Sequence, residues 1–204
     1  MISPQAVVFD LGKVLVDFDY AIAARTLAAR SKLALDQING VINQTPLLFR
    51  YETGLMSRKE FYDLFCASTG FGGDIEEFAD AFGNIFTPIE PMIEVHRALR
   101  QAGLRTYVFS NTNDMAIAHI RKNFPFFSQF DGYVLSYEHG AMKPDPKIYE
   151  VVEKMSQCAS GEIFYLDDRP ENILAGQQRG WQVLLQESPE KTRAALKQLG
   201  LPGI

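Results

Sequence analysis

Five short apolar runs, each closed by polar residues, constrain this chain more than any other feature. Val7-Val8-Phe9 ends on Asp10, and Thr106-Tyr107-Val108-Phe109 ends on Ser110-Asn111-Thr112-Asn113. Tyr133-Val134-Leu135 ends on Ser136, Ile163-Phe164-Tyr165-Leu166 on Asp167-Asp168, and Val183-Leu184-Leu185 on Gln186. None alternates polar with apolar residues. Runs of this length, mostly rich in β-branched or aromatic residues, read as strands covered on both faces, the pattern of a parallel sheet. Helical patterns fill the gaps. Pro91 opens Met92, Val95, Leu99 and Ala102, which Gly103 closes. Asp145 caps a helix with Pro146 at its first position, Pro170 opens one that ends at Gly180, and Ser188-Pro189 opens one that ends at Gly200. Proline inside the start and glycine past the end is the expected asymmetry. The alternation predicts an α/β class with a doubly wound parallel sheet.

From about Asp19 to Thr87 the pattern changes to helical spacing with no convincing strand. Ser57-Arg58-Lys59-Glu60 is a capping box followed by Phe61, Leu64 and Phe65, and Asp74 with Glu77 precedes Phe78, Phe82, Ile85 and Phe86. The reading is a core made of residues 1–18 and 88–204, interrupted by an all-helical insertion, 19–87. A chain of 204 residues accommodates one large domain of this kind.

Composition narrows the function classes. The net charge is −5 and no basic stripe accumulates, which argues against a nucleic-acid partner. Cys66 and Cys158 are far apart, form no CxxC, and fit a reduced cytoplasmic protein. The apolar run from Ala6 to Phe9 is too short for a signal segment, and no stretch approaches a membrane span. No phosphate-binding P-loop, G-x-S-x-G elbow or zinc spacing is present. The expectation is a soluble cytoplasmic protein, monomeric or weakly dimeric.

Ligands of open α/β sheets bind beyond the carboxyl ends of the strands. Here those ends gather Asp10, Ser110, Asn111, Asp167 and Asp168. Three carboxylates in one pocket resist ionisation unless a cation sits among them, and oxygen ligands favour a hard one such as Mg²⁺. Each segment alone has a plainer reading: a turn or cap aspartate, a capping Ser-Asn pair, a solvated Asp-Asp turn.

Four segments in order resemble the haloacid-dehalogenase superfamily: Val7 to Leu15 with Asp10, Val108-Phe109-Ser110-Asn111, Lys143-Pro144, and Phe164 to Asn172 with Asp167-Asp168. The resemblance implies a Rossmann-like core with a helical cap that opens for substrate and closes against water. It implies a phosphatase acting on a small phosphorylated metabolite, with Asp10 forming an aspartyl-phosphate. Mg²⁺ is then held by Asp10, the carbonyl of Gly12, and Asp168 with Asp167 assisting. Ser110 and Asn111, followed by Thr112 and Asn113, bind phosphate, and Lys143 places a charge on the phosphoryl group and nucleophile. Asn172 supports the loop after the aspartate pair. Arg50, in Leu48-Phe49-Arg50-Tyr51-Glu52, is a cap candidate for closing over phosphate or sugar.

One position departs from the family pattern. Most such phosphatases carry a second aspartate two residues after the nucleophile, as acid and base; this chain has Gly12. Losing that group costs about 10² to 10⁴ in rate, roughly 3–5 kcal/mol. The loss favours leaving oxygens that need little help, such as that of a sugar 1-phosphate. The stretch Phe9 to Asp17 also resembles the bacterial α-glucose-1-phosphate phosphatase group. Asp17, Asp19 and His139 are the replacement donors nearest in sequence; His96 and His119 lie in helices as structural or exposed residues. A dehalogenase, which uses no metal, and a non-catalytic phosphosugar-binding protein are the alternatives.

Overall fold

The computed structural model describes residues 3–43, 45–201 and 203. The chain opens with strand β1 (Ala6–Phe9), then β2 (Val16–Phe18). Five helices follow: α1 (Tyr20–Ala28), α2 (Leu35–Ile42), α3 (Pro46–Glu52), α4 (Arg58–Thr69) and α5 (Ile75–Gly83). Strand β3 (Phe86–Pro88) leads back to helix α6 (Glu90–Gln101). The rest alternates: β4 (Arg105–Ser110), α7 (Asp114–Asn123), β5 (Gly132–Leu135), the short α8 (Ser136–His139), α9 (Pro146–Ser156), β6 (Ile163–Asp167), α10 (Pro170–Gln178), β7 (Gln182–Leu185) and α11 (Pro189–Gln198).

The five apolar runs form one parallel sheet in the order β5-β4-β1-β6-β7. β1 is central, and all four of its residues are buried. Side chains alternate across it. Val7 and Phe9 pack with Met92, Leu99 and Ile117 from α6 and α7, while Ala6 and Val8 pack with Ile148, Tyr149 and Val152 from α9. Helices on both faces explain why the strands lack polar alternation. The register places Phe9 opposite Val108 of β4 and Leu166 of β6, so Asp10, Ser110 and Asp167 leave the sheet at one end.

Helices α1 to α5 form the cap segment around Phe61, Phe65, Phe78 and Phe82, all essentially inaccessible to solvent. The two capping boxes are present: Ser57 accepts from Glu60 N, and Asp74 accepts from Glu77 N. Gly70 ends α4 at φ 66°, a left-handed cap that costs glycine nothing. The sequence pattern missed β3, which starts at Phe86 inside the stretch read as purely helical. It is three residues long, contains Pro88 and pairs antiparallel only with β2. So short a strand carries no periodicity. No helix of the described residues is long and apolar enough to cross a membrane.

His96 of α6 is fully buried against the sheet. Its Nε2 lies 3.1 Å from Thr106 Oγ1, and its ring stacks on Phe130 at 3.9 Å. Burial, reinforced by Arg100, pushes its pKa down from 6.5 to about 4. Above pH 6.5 the ring is neutral in both folded and unfolded chains, and the full stability is present. Below that, the unfolded chain takes up a proton that the native chain refuses until about pH 4. Between these values the chain should lose about 3 kcal/mol through this residue. Urea unfolding from pH 7 to 4 checks this: the wild type should lose stability more steeply than His96→Gln, and parallel curves would refute it.

Candidate active site

The ends of β1 and β6 deliver three carboxylates to one point, where a lysine from the loop between α8 and α9 meets them. Asp10 follows β1, and its main-chain N–H donates to Leu166 O at 2.8 Å. Its Oδ1 accepts from Leu11 N at 2.7 Å and lies 2.9 Å from Lys143 Nζ. The Lys143 ammonium also donates to Asp167 Oδ2 at 2.7 Å and Phe109 O at 2.8 Å. An ammonium has three N–H groups, and these contacts use all three. The lysine side chain is 1% exposed, so its charge is directed wholly at Asp10 and Asp167.

The paired aspartates differ. Asp167 is fully buried and saturated: it accepts from Arg169 N at 2.8 Å, from Asn172 Nδ2 at 3.0 and 3.1 Å, from Tyr165 OH and from Lys143. Burial pushes its carboxyl up, but Lys143 and these donors hold it below the usual range. Asp168 lines the cleft instead. Burial, then the Asp167 charge, raises its pKa. Burial pushes Asp10 up to about 7 against the pull of Lys143, and Asp167 adds to the rise. One carboxylate oxygen from each of Asp10, Asp167 and Asp168 lies within 4.8 Å of the others. One ammonium leaves that cluster short of positive charge, and three hard oxygen donors suit a small divalent cation.

The loop after β4 supplies the other wall. Asn111 faces inward to the chain: its Nδ2 donates to Lys143 O at 3.0 Å and its Oδ1 accepts from Lys143 N at 2.8 Å. That pair fixes the lysine backbone, and leaves only the Asn111 main chain for a ligand. Thr112 N donates to Ser136 Oγ at 2.9 Å. Asn113 caps α7 through Oδ1, which accepts from Ala116 N at 3.0 Å, and its side chain neighbours the Glu52 carboxyl. Ser110 is buried and lines the cleft.

The cap roofs a cleft of about 590 Å³. Phe18, Tyr20, Leu48, Phe49 and Glu52 face it. Arg50, expected to reach substrate, does not. It is exposed and absent from the cleft lining. Helical geometry gives the reason: Leu48, Phe49 and Glu52 are related by i,i+3 and i,i+4 spacing and share a face that Arg50 is turned away from. The proton donors suggested by sequence proximity also miss the cleft. Asp17 is 59% exposed in an ion pair with Lys13. Asp19 caps α1 by accepting from Ala21 N at 2.8 Å, and His139 is exposed on α8. Glu52 and Tyr20 were missed. The available signal was Glu52 standing four residues after buried Leu48, the polar member of an otherwise apolar face.

The chain is similar to several known proteins. The sequence profile of the haloacid dehalogenase-like hydrolases matches residues 4–180. A D-ribitol-5-phosphate phosphatase from Bacteroides thetaiotaomicron is 26% identical over 197 residues, covering 93% of this chain and 95% of the relative. A sesquiterpene phosphatase from Aspergillus oryzae is 25% identical over 179 residues, covering 86% of each. The structure of an enzyme of the same family from Bacteroides thetaiotaomicron, in complex with magnesium and inorganic phosphate, superposes with a TM-score of 0.77 at 23% identity. It covers 90% of this chain and 94% of that one.

Removing the Lys143 charge should leave buried carboxylates unpaired. Lys143→Met is expected to lower stability by about 3–5 kcal/mol. Adding Asp10→Asn should restore part of the loss. Denaturant unfolding of the two variants measures both; a single variant as stable as wild type would mean the ammonium does not hold the site together.

Proposed function

The chain belongs to the haloacid dehalogenase-like hydrolases and is of their phosphatase type, and from that premise we propose that it hydrolyses a phosphomonoester of a small hydroxylated metabolite with Mg²⁺ as cofactor. The observation that carries this is the cluster of Asp10, Asp167 and Asp168 oxygens beside a buried lysine at the floor of a cleft. The sizes of the cleft and of a phosphorylated sugar or polyol agree. The curated relatives that act on phosphate esters support the reaction class.

In this reading, Asp10 attacks phosphorus and takes the phosphoryl group as an aspartyl-phosphate, which water then cleaves. Lys143 keeps Asp10 ionised and aimed, because its ammonium stabilises the carboxylate form of its neighbours. Ser110 and the Asn111 main-chain N–H hydrogen-bond the phosphoryl oxygens. Asp10, Asp168 and the Gly12 carbonyl would hold Mg²⁺, with Asp167 orienting the surrounding groups. The cation supplies charge compensation for the phosphoryl oxygens and the carboxylates. On the core's residues alone, with glycine at position 12, leaving oxygens of low basicity are favoured, and a sugar 1-phosphate is the first to test.

Phosphate release should be measured from glucose 1-phosphate, glucose 6-phosphate, ribitol 5-phosphate and p-nitrophenyl phosphate. Release is expected with Mg²⁺, and should be lost with chelator and in Asp10→Asn. Mg²⁺ alone should raise the unfolding temperature of wild type by mass action, and that of Asp168→Asn much less. Binding of these esters without release would move the function to a binding protein. Chelator-insensitive halide release from a 2-haloacid would make it a dehalogenase.

A further inference from the structure

Gly12 leaves the reaction without a proton donor, and the structure shows that its place is filled. A Cβ on Gly12 would lie 2.9 Å from Phe18 Cε1, so the ring stands where a side chain at that position would begin. Among the described residues lining the cleft, the carboxyls are Asp10, Asp168 and Glu52. The first two belong to the metal cluster. Glu52 comes from the cap, as the last residue of α3, and the steps assigned to Asp10, Lys143 and Ser110 do not use it.

We propose that Glu52 is the proton donor and acceptor of this site, supplied by the cap in place of the side chain missing at position 12. The proposal rests on the phosphatase reading. In the first half-reaction, an Asp10 oxygen bonds to phosphorus as the bond from phosphorus to the ester oxygen breaks. The Glu52 carboxyl proton passes to that oxygen, directly or through one water, and the alcohol leaves. In the second, the Glu52 carboxylate takes a proton from the water that attacks phosphorus. Inorganic phosphate departs, Asp10 returns as carboxylate and Glu52 as acid.

Three features of Glu52 suit the role. Its carboxyl has the side chains of Tyr20 of α1 and Asn113 of the loop before α7 as polar neighbours. Its main-chain carbonyl accepts from Ser136 Oγ at 2.5 Å, and Ser136 in turn receives Thr112 N, so the residue is tied to the same loop that carries Ser110 and Asn111. Burial, opposed by those two neighbours, raises its pKa to about 7, where it holds and releases a proton with equal ease. The titratable and charged groups around it are Tyr20, then Asp114, which is engaged by Arg58 and Tyr51, and in the same cleft lining Asp10, Lys13, Lys143, Asp168 and Arg169. A donor of this kind lifts the restriction to anomeric phosphates, since it serves an alkoxide leaving group equally well.

The test uses phosphomonoesters without free hydroxyls, so that recognition of a sugar is not confused with proton transfer. Across a series from p-nitrophenyl to propyl phosphate with Mg²⁺, Glu52→Gln should lose about 10² to 10⁴ in kcat/KM, which reports the phosphorylation half-reaction, for the alkyl ester and little for the nitrophenyl ester. It should also lose the fall in activity that the wild type shows as pH rises past 7. Unfolding temperature and Mg²⁺ response of the variant confirm an intact fold. An equal loss of kcat/KM for every leaving group, or a loss only with hydroxylated substrates, would overturn the proposal and leave Glu52 a binding residue. Nitrophenyl phosphate hydrolysis by wild type, abolished by Asp10→Asn, keeps the phosphatase reading separate from this one.

Discussion

The Lys143 ammonium is the contact on which the rest of the site depends. It reaches strand ends from three sources: Asp10 after β1, Phe109 O in β4 and Asp167 in β6. Parallel strands bring backbone carbonyls and side chains of one sign to a common edge, and buried carboxylates there repel. A single cation with three donors neutralises part of that charge and fixes the strand ends relative to one another. Asn111 holds the lysine main chain from the other side, so the residue that carries the charge is constrained at both ends. The remaining carboxylate excess is what makes a hard cation fit.

The cap is fastened to this edge by contacts that lie beside the cleft. Arg58 of α4 pairs with Asp114 at the start of α7 through Nε at 2.8 Å and Nη2 at 2.7 Å, and Tyr51 bonds the same carboxylate. The Glu52 main-chain carbonyl accepts from Ser136 Oγ at 2.5 Å. Asp114 and Ser136 of the core therefore anchor two consecutive residues of α3, Tyr51 and Glu52. Both ion-pair partners are about one-third exposed, which keeps the fastening modest in strength. Its effect is mainly orientation of the cap face that carries Leu48, Phe49 and Glu52.

The sheet was legible in the sequence because its strands are buried on both faces, and continuous apolar runs such as Ile163 to Leu166 have few other readings. Helix ends were legible where caps are local, as at Ser57, Asp74 and Asp145. Asp10, Ser110 and Asp167-Asp168 stood out because strand ends announce themselves, and Lys143 only through the family segment Lys143-Pro144. The cap side of the site was harder. Which residue of α3 faces the cleft depends on how the helix is docked, and Arg50, the more conspicuous charge, is rotated away from it. Asp19 and His139 are close to the motifs in sequence but are turned to other tasks by a helix start and a surface turn. Proximity along the chain was a poor guide to proximity across the cleft.

The small ribbon of β2 and β3 has a consequence for how such a chain can change. Val16 pairs with Pro88 and Phe18 with Phe86, so the segment between them leaves and re-enters the core at neighbouring points. Directly paired residues of antiparallel strands are separated by only about 4.5–5.5 Å. Everything strung between those ends can lengthen, shorten or be exchanged as a cassette without asking the sheet to move. One wall of the cleft is thereby portable, while the wall bearing Asp10 stays where the strands put it.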